Sequence, residues 1–310
     1  MTKRFDIFHY LRKGFFLYLI VGLVFVWLVD AELAYQNRLT GLKHAEEDLK
    51  EFEAGRGEVD LAVFKRALRY YRELLKRMPK VALAHSALGF CYYYLGQPEA
   101  AIAHYKKALE LDPFWYSYDW DLGVIYFRLG DYTASRKHLR QAAGHLDEAV
   151  YQYKVMAERF HVRGREDIRH ESLRMLLRIQ DDEINYYILM GENYLRLGKV
   201  DRMFETALGG LKNHPDNPGL NYQAGRAVLG LADCRRAWPY FQRAMEAKDR
   251  PASVAFYTQI CEKQPGVALR PADDAQWVLV PGQTAVPEEN WSDLRLHLNP
   301  DLILMRYLAQ

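Results

Sequence analysis

The chain has 310 residues, 50% hydrophobic and 26% charged, with a formal net charge of +2. Half-apolar composition excludes a disordered chain, and this length leaves room for one large core or two domains. So small a charge, with no basic stripe, excludes nucleic acid as a partner.

The first predicted element is apolar. Residues 14–29 (GFFLYLIVGLVFVWLV) run sixteen positions without a charge, behind Lys3, Arg4, Arg12 and Lys13 and ahead of Asp30 and Glu32. At ~1.5 Å per residue the run spans roughly 24 Å, short of a ~30 Å hydrocarbon core. Snorkelling of Arg12 and Lys13, or local thinning of the bilayer, closes that gap. The run is longer than a secretory h-region, so residues 14–30 read as a transmembrane helix behind a basic cytoplasmic flank, residues 1–13. Val29 and Ala31 form a weak small-residue cleavage pattern, which keeps a cleaved signal open as the alternative. The basic flank places the N-terminus in the cytoplasm and the remainder across the membrane. In a bacterium that is a single-pass inner-membrane protein with a periplasmic domain. The alternative is a cytosolic domain on an organelle membrane.

Residues 31–81 read as a linker helix, with Leu39, Leu42, Leu49 and Phe52 on one side, followed by a half-matching repeat: Ala67, Tyr71, Leu74 and Pro79. From Ala82 a 34-residue layout recurs in unbroken register over residues 82–251. The first copy places Leu88 and Gly89 together, then Tyr92, Gly96, Ala101, Tyr105, Ala108 and Pro113. The second gives Leu122, Gly123, Tyr126, Gly130, Ser135, Leu139 and Ala142. A third, from Val150, is degenerate: Ala157 replaces the glycine and Arg169 stands at a small-residue position, while Phe160, Gly164 and Leu173 hold the register. The fourth gives Gly191, Tyr194, Gly198 and Pro215, and the fifth Gly225, Ala237, Phe241 and Ala244. Small residues let two helices approach closely while a large one fills the wedge between them. A glycine near the fifteenth position ends the first helix, and a proline near the thirty-second stops the second.

This pattern resembles the tetratricopeptide repeat (TPR) family over residues 48–251. The expected fold is all-α: a solenoid of helical hairpins preceded by one transmembrane helix, each hairpin contacting only its neighbours. Residues 252–263 read as a helix that caps the apolar end of the stack. Residues 264–310 read as an irregular tail, punctuated by Pro265, Pro271, Pro281 and Pro287, with a strand-like run from Trp277 to Val280 and a terminal helix opened by Asn299 and Pro300. Cys91 reads as a small buried apolar residue. Cys234 and Cys261 fall on helices expected to run antiparallel, so the two sulfurs can approach, although spacing alone does not supply bridge geometry.

No constellation for catalysis, a metal or a cofactor emerges, so the chain is read as non-enzymatic. His104 and His138 share one position of successive repeats, where the second helix is expected to face solvent. Arg163, Arg165, Arg169, Arg174 and Arg178 alternate with acids and read as a charge-paired face. Chemistry therefore falls to the concave surface. The TPR resemblance implies that positions two, five, nine, twelve and thirteen of each repeat face a ligand. These are Phe90, Tyr93 and Tyr94; Trp120, Val124, Phe127 and Arg128; Tyr151, Lys154, Glu158 and His161; Ile188, Glu192 and Arg196; Tyr222 and Arg226. The groove reads as aromatic in its N-terminal half and charged in its C-terminal half. Phe90, Val124, Glu158 and Glu192 stand where the carboxylate-gripping subgroup of the family carries asparagine, which argues against a chain-terminus clamp. An apolar protein segment suits such a groove, making protein partners of a membrane complex the leading expectation. A glycan stacking on Trp120 and Tyr94, in an envelope-biogenesis or secretion role, is the alternative.

Overall fold

The computed structural model describes residues 61–162, 166–248, 250–251, 253–271, 277–280 and 284–285. The expected transmembrane helix and its flank, the linker helix over 31–52, Arg163, Arg165 and the terminal helix lie outside the described residues, as do the side chains of His161, Arg169, Arg174 and Arg178. Among the described residues no helix is long and apolar enough to cross a membrane. Contacts divide the chain into two compact units, Met1–Pro79 and Lys80–Gln310.

In the first unit, helix α1 (Leu61–Arg77) buries Phe64, Ala67, Leu68 and Tyr71, one stripe at i, i+3, i+4 and i+7. Lys76 and Arg77 occupy its last turn, where cations oppose the negative end of the helix dipole. It stops just before Pro79.

The second unit is a run of helices in which each packs on the next: α2 (Ala82–Tyr94), α3 (Pro98–Leu111), α4 (Tyr116–Arg128), α5 (Tyr132–Val162), α6 (Glu166–Arg196), α7 (Val200–Asn213), α8 (Pro218–Leu231), α9 (Cys234–Glu246) and α10 (Val254–Lys263). Close packing within hairpins follows the small-to-large rule. A Cβ added to Gly89 would stand 2.7 Å from the Tyr105 ring, one at Gly123 would stand 2.8 Å from Leu139, and one at Gly225 would stand 2.6 Å from Phe241. At the turn after α2, Gly96 takes φ +74°, and Gln97 donates its backbone N–H to the Tyr92 carbonyl at 2.9 Å. Gly130 and Gly198 end α4 and α6 in the same left-handed way.

The structure corrects the expectation of five separate hairpins. Helices α5 and α6 are each 31 residues long, so the third repeat is the far half of α5 and the near half of α6 rather than a hairpin of its own. The helix-stopping position explains this. Pro113 and Pro215 stand at the thirty-second place of the first and fourth repeats, and α3 and α7 end before them. Asp147 and Asp181 stand there in the second and third repeats, and the helix runs through both. Tyr116 of α4, Tyr153 of α5 and Ile179 of α6 form a buried cluster, with Trp115, Leu146, Val150 and Leu176 packed against it.

The tail also differs from expectation. Its strand-like run, β2 (Trp277–Val280), is the centre of a small antiparallel sheet between β1 (Ala268–Pro271) and β3 (Thr284–Ala285), so the fold is helical with one sheet appended. Leu269 and Leu279 pair across the strands and are both buried, and β1 lies against α8, where Arg270 donates to the Gly230 carbonyl at 2.7 Å. Cys234, the first residue of α9, is bridged to Cys261 of α10, with their Cα atoms 4.9 Å apart. The Cys234 N–H also donates to the Val267 carbonyl at 2.9 Å, so the start of α9, the cap helix and the approach to the sheet meet at one point. Cys91 is a free thiol, and burial pushes its pKa up to about 12.

Candidate partner-binding surface

The first helices of the hairpins carry the expected contact residues, and the structure assembles these into two groups. In the N-terminal group, the rings of Phe90 and Tyr94 are 4.7 Å apart, and Tyr93 meets Tyr94 edge-on at 5.3 Å. Phe90 is buried, whereas Tyr93 and Tyr94 are half-buried. Burial pushes the Tyr93 phenol above its ordinary range, and the charge of Arg128, at the end of α4, opposes that rise. Next along α4, Phe127 packs edge-on to Tyr132 at 5.7 Å, while Val124 and Trp120 are buried one and two turns earlier on the helix.

The C-terminal group is ionic. Glu192 of α6, fully buried, accepts from Arg226 of α8 at 2.9 Å and from Arg196, one turn along α6, at 3.1 Å. The Arg226 guanidinium also lies 5.4 Å from the centre of the Tyr222 ring. A buried pair of this kind holds two helices in fixed register, and its cost in desolvation is offset by the second arginine and the ring face.

The middle of the expected surface is not drawn in. Tyr151 is 64% exposed on α5, and Lys154 and Glu158 are exposed beyond it. Among the described residues no ring contact, hydrogen bond or ion pair joins these three to either group. Ile188 is half-buried, reaching toward Gly219 of α8. Phe90, Trp120, Phe127, Glu192, Tyr222 and Arg226 are buried, and such side chains shape a surface from beneath rather than offer area to a ligand. Tyr93, Tyr94, Arg128, Tyr151, Lys154, Glu158 and Arg196 present the accessible chemistry.

The two shared-position histidines face inward, which corrects the solvent-facing expectation. His138 Nδ1 is 2.7 Å from Asp119 Oδ1, its side chain is 12% exposed, and its ring stacks on Tyr126 at 5.5 Å. His104 stacks on Tyr92 at 5.2 Å and approaches His85, Nδ1 to Nδ1, at 3.2 Å. Both triads span the fourth, eleventh and twenty-third places of their repeats, so the recurrence is a helix-to-helix contact. The signal was present in the sequence as an aromatic at the eleventh place beside a polar fourth.

Buried polar residues of the first helices escaped sequence reasoning. Asn193 donates to Ser135 Oγ at 3.1 Å and to the Leu189 carbonyl at 2.9 Å, tying α6 to α5. Gln223 is buried on α8, and its Oε1 accepts no hydrogen bond among the described residues. Their only sequence signal is a polar residue within an otherwise apolar stretch of helix.

Comparison with known proteins agrees with the repeat pattern. Residues 82–114 and residues 120–144 each match the family Tetratricopeptide repeat. Hsp70-Hsp90 organizing protein 1 of Glycine max is 28% identical over 123 residues, which are 38% of this chain and 22% of that protein. The chain therefore spans about a fifth of that relative's length. Among solved structures, MamA aligns at 21% identity and a TM-score of 0.44, covering 64% of this chain and 91% of its own. Pseudomonas aeruginosa pilF aligns at 16% identity and a TM-score of 0.46, covering 74% of this chain and 95% of its own.

Proposed function

We propose that this chain, which belongs to the tetratricopeptide repeat superfamily, is a non-enzymatic scaffold that binds protein partners on the first helices of its hairpins. The matched repeats carry this reading: hairpins stacked in series present a long, shaped face suited to an extended or helical segment. Tyr93, Tyr94 and Arg128 supply apolar area and a charge at one end, and Arg196 supplies a charge at the other. The finer reading is that residues 14–30 anchor the chain in a membrane, with the repeats on the far side, as assembly factor or accessory subunit of a membrane complex. The sixteen-residue uncharged run and its basic flank support the anchor. The Cys234–Cys261 bridge supports an oxidising compartment such as the periplasm.

A photo-crosslinking residue placed at Tyr93 or Arg128 tests the binding face in cells. A discrete protein adduct is expected from these sites and not from Lys107, exposed on α3. Equal capture at all three positions, or none, would sink the reading. For the anchor, alkaline carbonate should leave the full chain in the membrane pellet and release a chain lacking residues 1–30; release of both refutes it.

A further inference from the structure

Helix α1 carries Lys65, Arg66, Arg69, Arg72, Lys76 and Arg77 against one acid, Glu73, a formal +5 in a chain whose total is +2. All six cations are exposed. At 3.6 residues per turn they fall within about 140° of the helix circumference, on the side opposite Phe64, Ala67, Leu68 and Tyr71. Burial of that stripe therefore turns a continuous cationic face outward, which corrects the expectation of a chain without a basic stripe. Other helices mix the signs: Lys107 pairs with Glu110 on α3, and Arg202 with Glu205 on α7. On α1 the single acid, Glu73, accepts from Lys76 at 2.6 Å, and the face keeps its excess of positive charge.

Two observations indicate what such a face meets. Tyr70, 37% exposed, stands beside Arg66 and Arg77 around the helix. A ring with a polar tip among cations suits the level of lipid headgroups, where tyrosine is enriched and basic side chains find phosphate. The second observation is the place of α1 in the chain: residues 30–60 are all that separate it from the apolar run at 14–29. Even fully extended, at ~3.5 Å per residue, that connection holds α1 within roughly 100 Å of the run. With the run placed in a bilayer, a lipid surface is always beside α1, and each Lys or Arg near it gains from anionic headgroups. A polyanion in solution has no such tether.

We propose that the cationic face of α1 rests on the anionic phospholipid headgroups of the membrane in which residues 14–30 are anchored. The inference rests on the anchor reading and adds a charge-dependent contact on the side of the repeats. The test reconstitutes the full chain in vesicles of phosphatidylcholine, or of equal parts phosphatidylcholine and phosphatidylglycerol. Lysines are acetylated with a neutral, membrane-permeant succinimidyl ester, which reaches either orientation, and mass spectrometry reads the rate at each residue.

In anionic vesicles Lys65 and Lys76 should react at least about threefold more slowly than in uncharged ones, while Lys107 on α3 keeps its rate. Salt at about 1 M, which cuts the reach of surface charge to ~3 Å, should restore both rates. Arg69→Glu with Arg77→Glu should lose most of the protection, and Arg69→Lys with Arg77→Lys should keep it. Circular dichroism checks that each variant keeps its helices. Equal rates in the two kinds of vesicle, protection that survives high salt, or protection retained by the glutamate variant each overturn the proposal. So does protection by a DNA duplex in detergent with none from anionic vesicles, which gives the face to nucleic acid instead. Alkaline carbonate judges the anchor separately. A chain retained in the pellet whose Lys65 and Lys76 stay unprotected loses the headgroup contact and keeps the anchor. A chain released by carbonate, yet protected by anionic vesicles at low salt, loses the anchor and keeps the contact.

Discussion

In the first, second and fifth repeats a glycine on one helix meets a large side chain on the next, and Tyr105, Leu139 and Phe241 are all fully buried there. In the third repeat the same place holds Leu173, which is 37% exposed, and Leu177, one turn on, is 64% exposed. The period is identical in both regions, but the means of order differ. The first, second and fifth hairpins are held by a wedge of side chains, whereas the third repeat is built from two helices that run on into its neighbours. Phe241→Ala should therefore cost about 3–5 kcal/mol, and Leu173→Ala about 0.5 kcal/mol or less. Urea unfolding of both variants checks this, and a loss at Leu173 as large as that at Phe241 would erase the distinction.

The two ends of this contrast are closed differently as well. The fifth hairpin is fastened to its cap by the Cys234–Cys261 bridge, which closes a span of 27 residues. Removing a cross-link of that span releases about 3.5 kcal/mol of chain entropy in the unfolded state. Cys234→Ser with Cys261→Ser, or reduction, should lower the melting temperature by a matching amount. An unchanged melting temperature in reducing agent would mean that the hydrogen bond from Cys234 to Val267 and the β1 contacts already suffice. In the native state Cys91 should stay unlabelled by thiol reagents at pH 8. Its raised pKa means that the buried neutral thiol favours the folded form below the unfolded value, near 9, and that this contribution fades as pH climbs from there toward about 12.

Helix continuity itself can be attacked. Asp147→Pro restores the residue that ends hairpins elsewhere, but in α5 it removes an interior hydrogen bond and crowds the preceding turn, for about 3 kcal/mol. Hydrogen exchange should show the loss concentrated around residue 147. A proline tolerated there without cost would mean that the second and third repeats can separate as ordinary hairpins, and the fusion would then be incidental.

How much of this was legible follows from what each contact depends on. The hairpins were readable because glycine beside a large residue is a local rule repeated at a fixed interval. The fused helices were also written in the chain, as aspartate in place of proline at 147 and 181, but the register of the other positions drew the reading toward a complete third hairpin. The sheet beyond α10 was half legible: the alternation in β2 was visible, while β1 and β3 are too short to announce themselves apart from their partner. At the candidate surface, spacing identified which residues share a face, and Glu192, Arg196 and Arg226 do converge. Spacing could not say which are buried, since that depends on the helix laid across them, and so Phe90 and Trp120 read like Tyr93.

The smallest expected effect tests the inward turn of the histidines. In the second repeat the partner of His138 is the carboxylate of Asp119, which is 3% exposed. Truncating His138 to alanine leaves that buried group short of a donor, at a cost of about 2 kcal/mol. In the first repeat His104 approaches another imidazole, that of half-buried His85, and a hydrogen bond between two such rings is worth about 1 kcal/mol or less. His138→Ala should thus destabilise more than His104→Ala, although both rings stack on a tyrosine of the same place. Asp119→Asn should recover much of the His138→Ala loss, because an amide tolerates the missing donor better than a charge does. If the double variant is no more stable than His138→Ala alone, the stacking on Tyr126, and not the hydrogen bond, is what the histidine supplies.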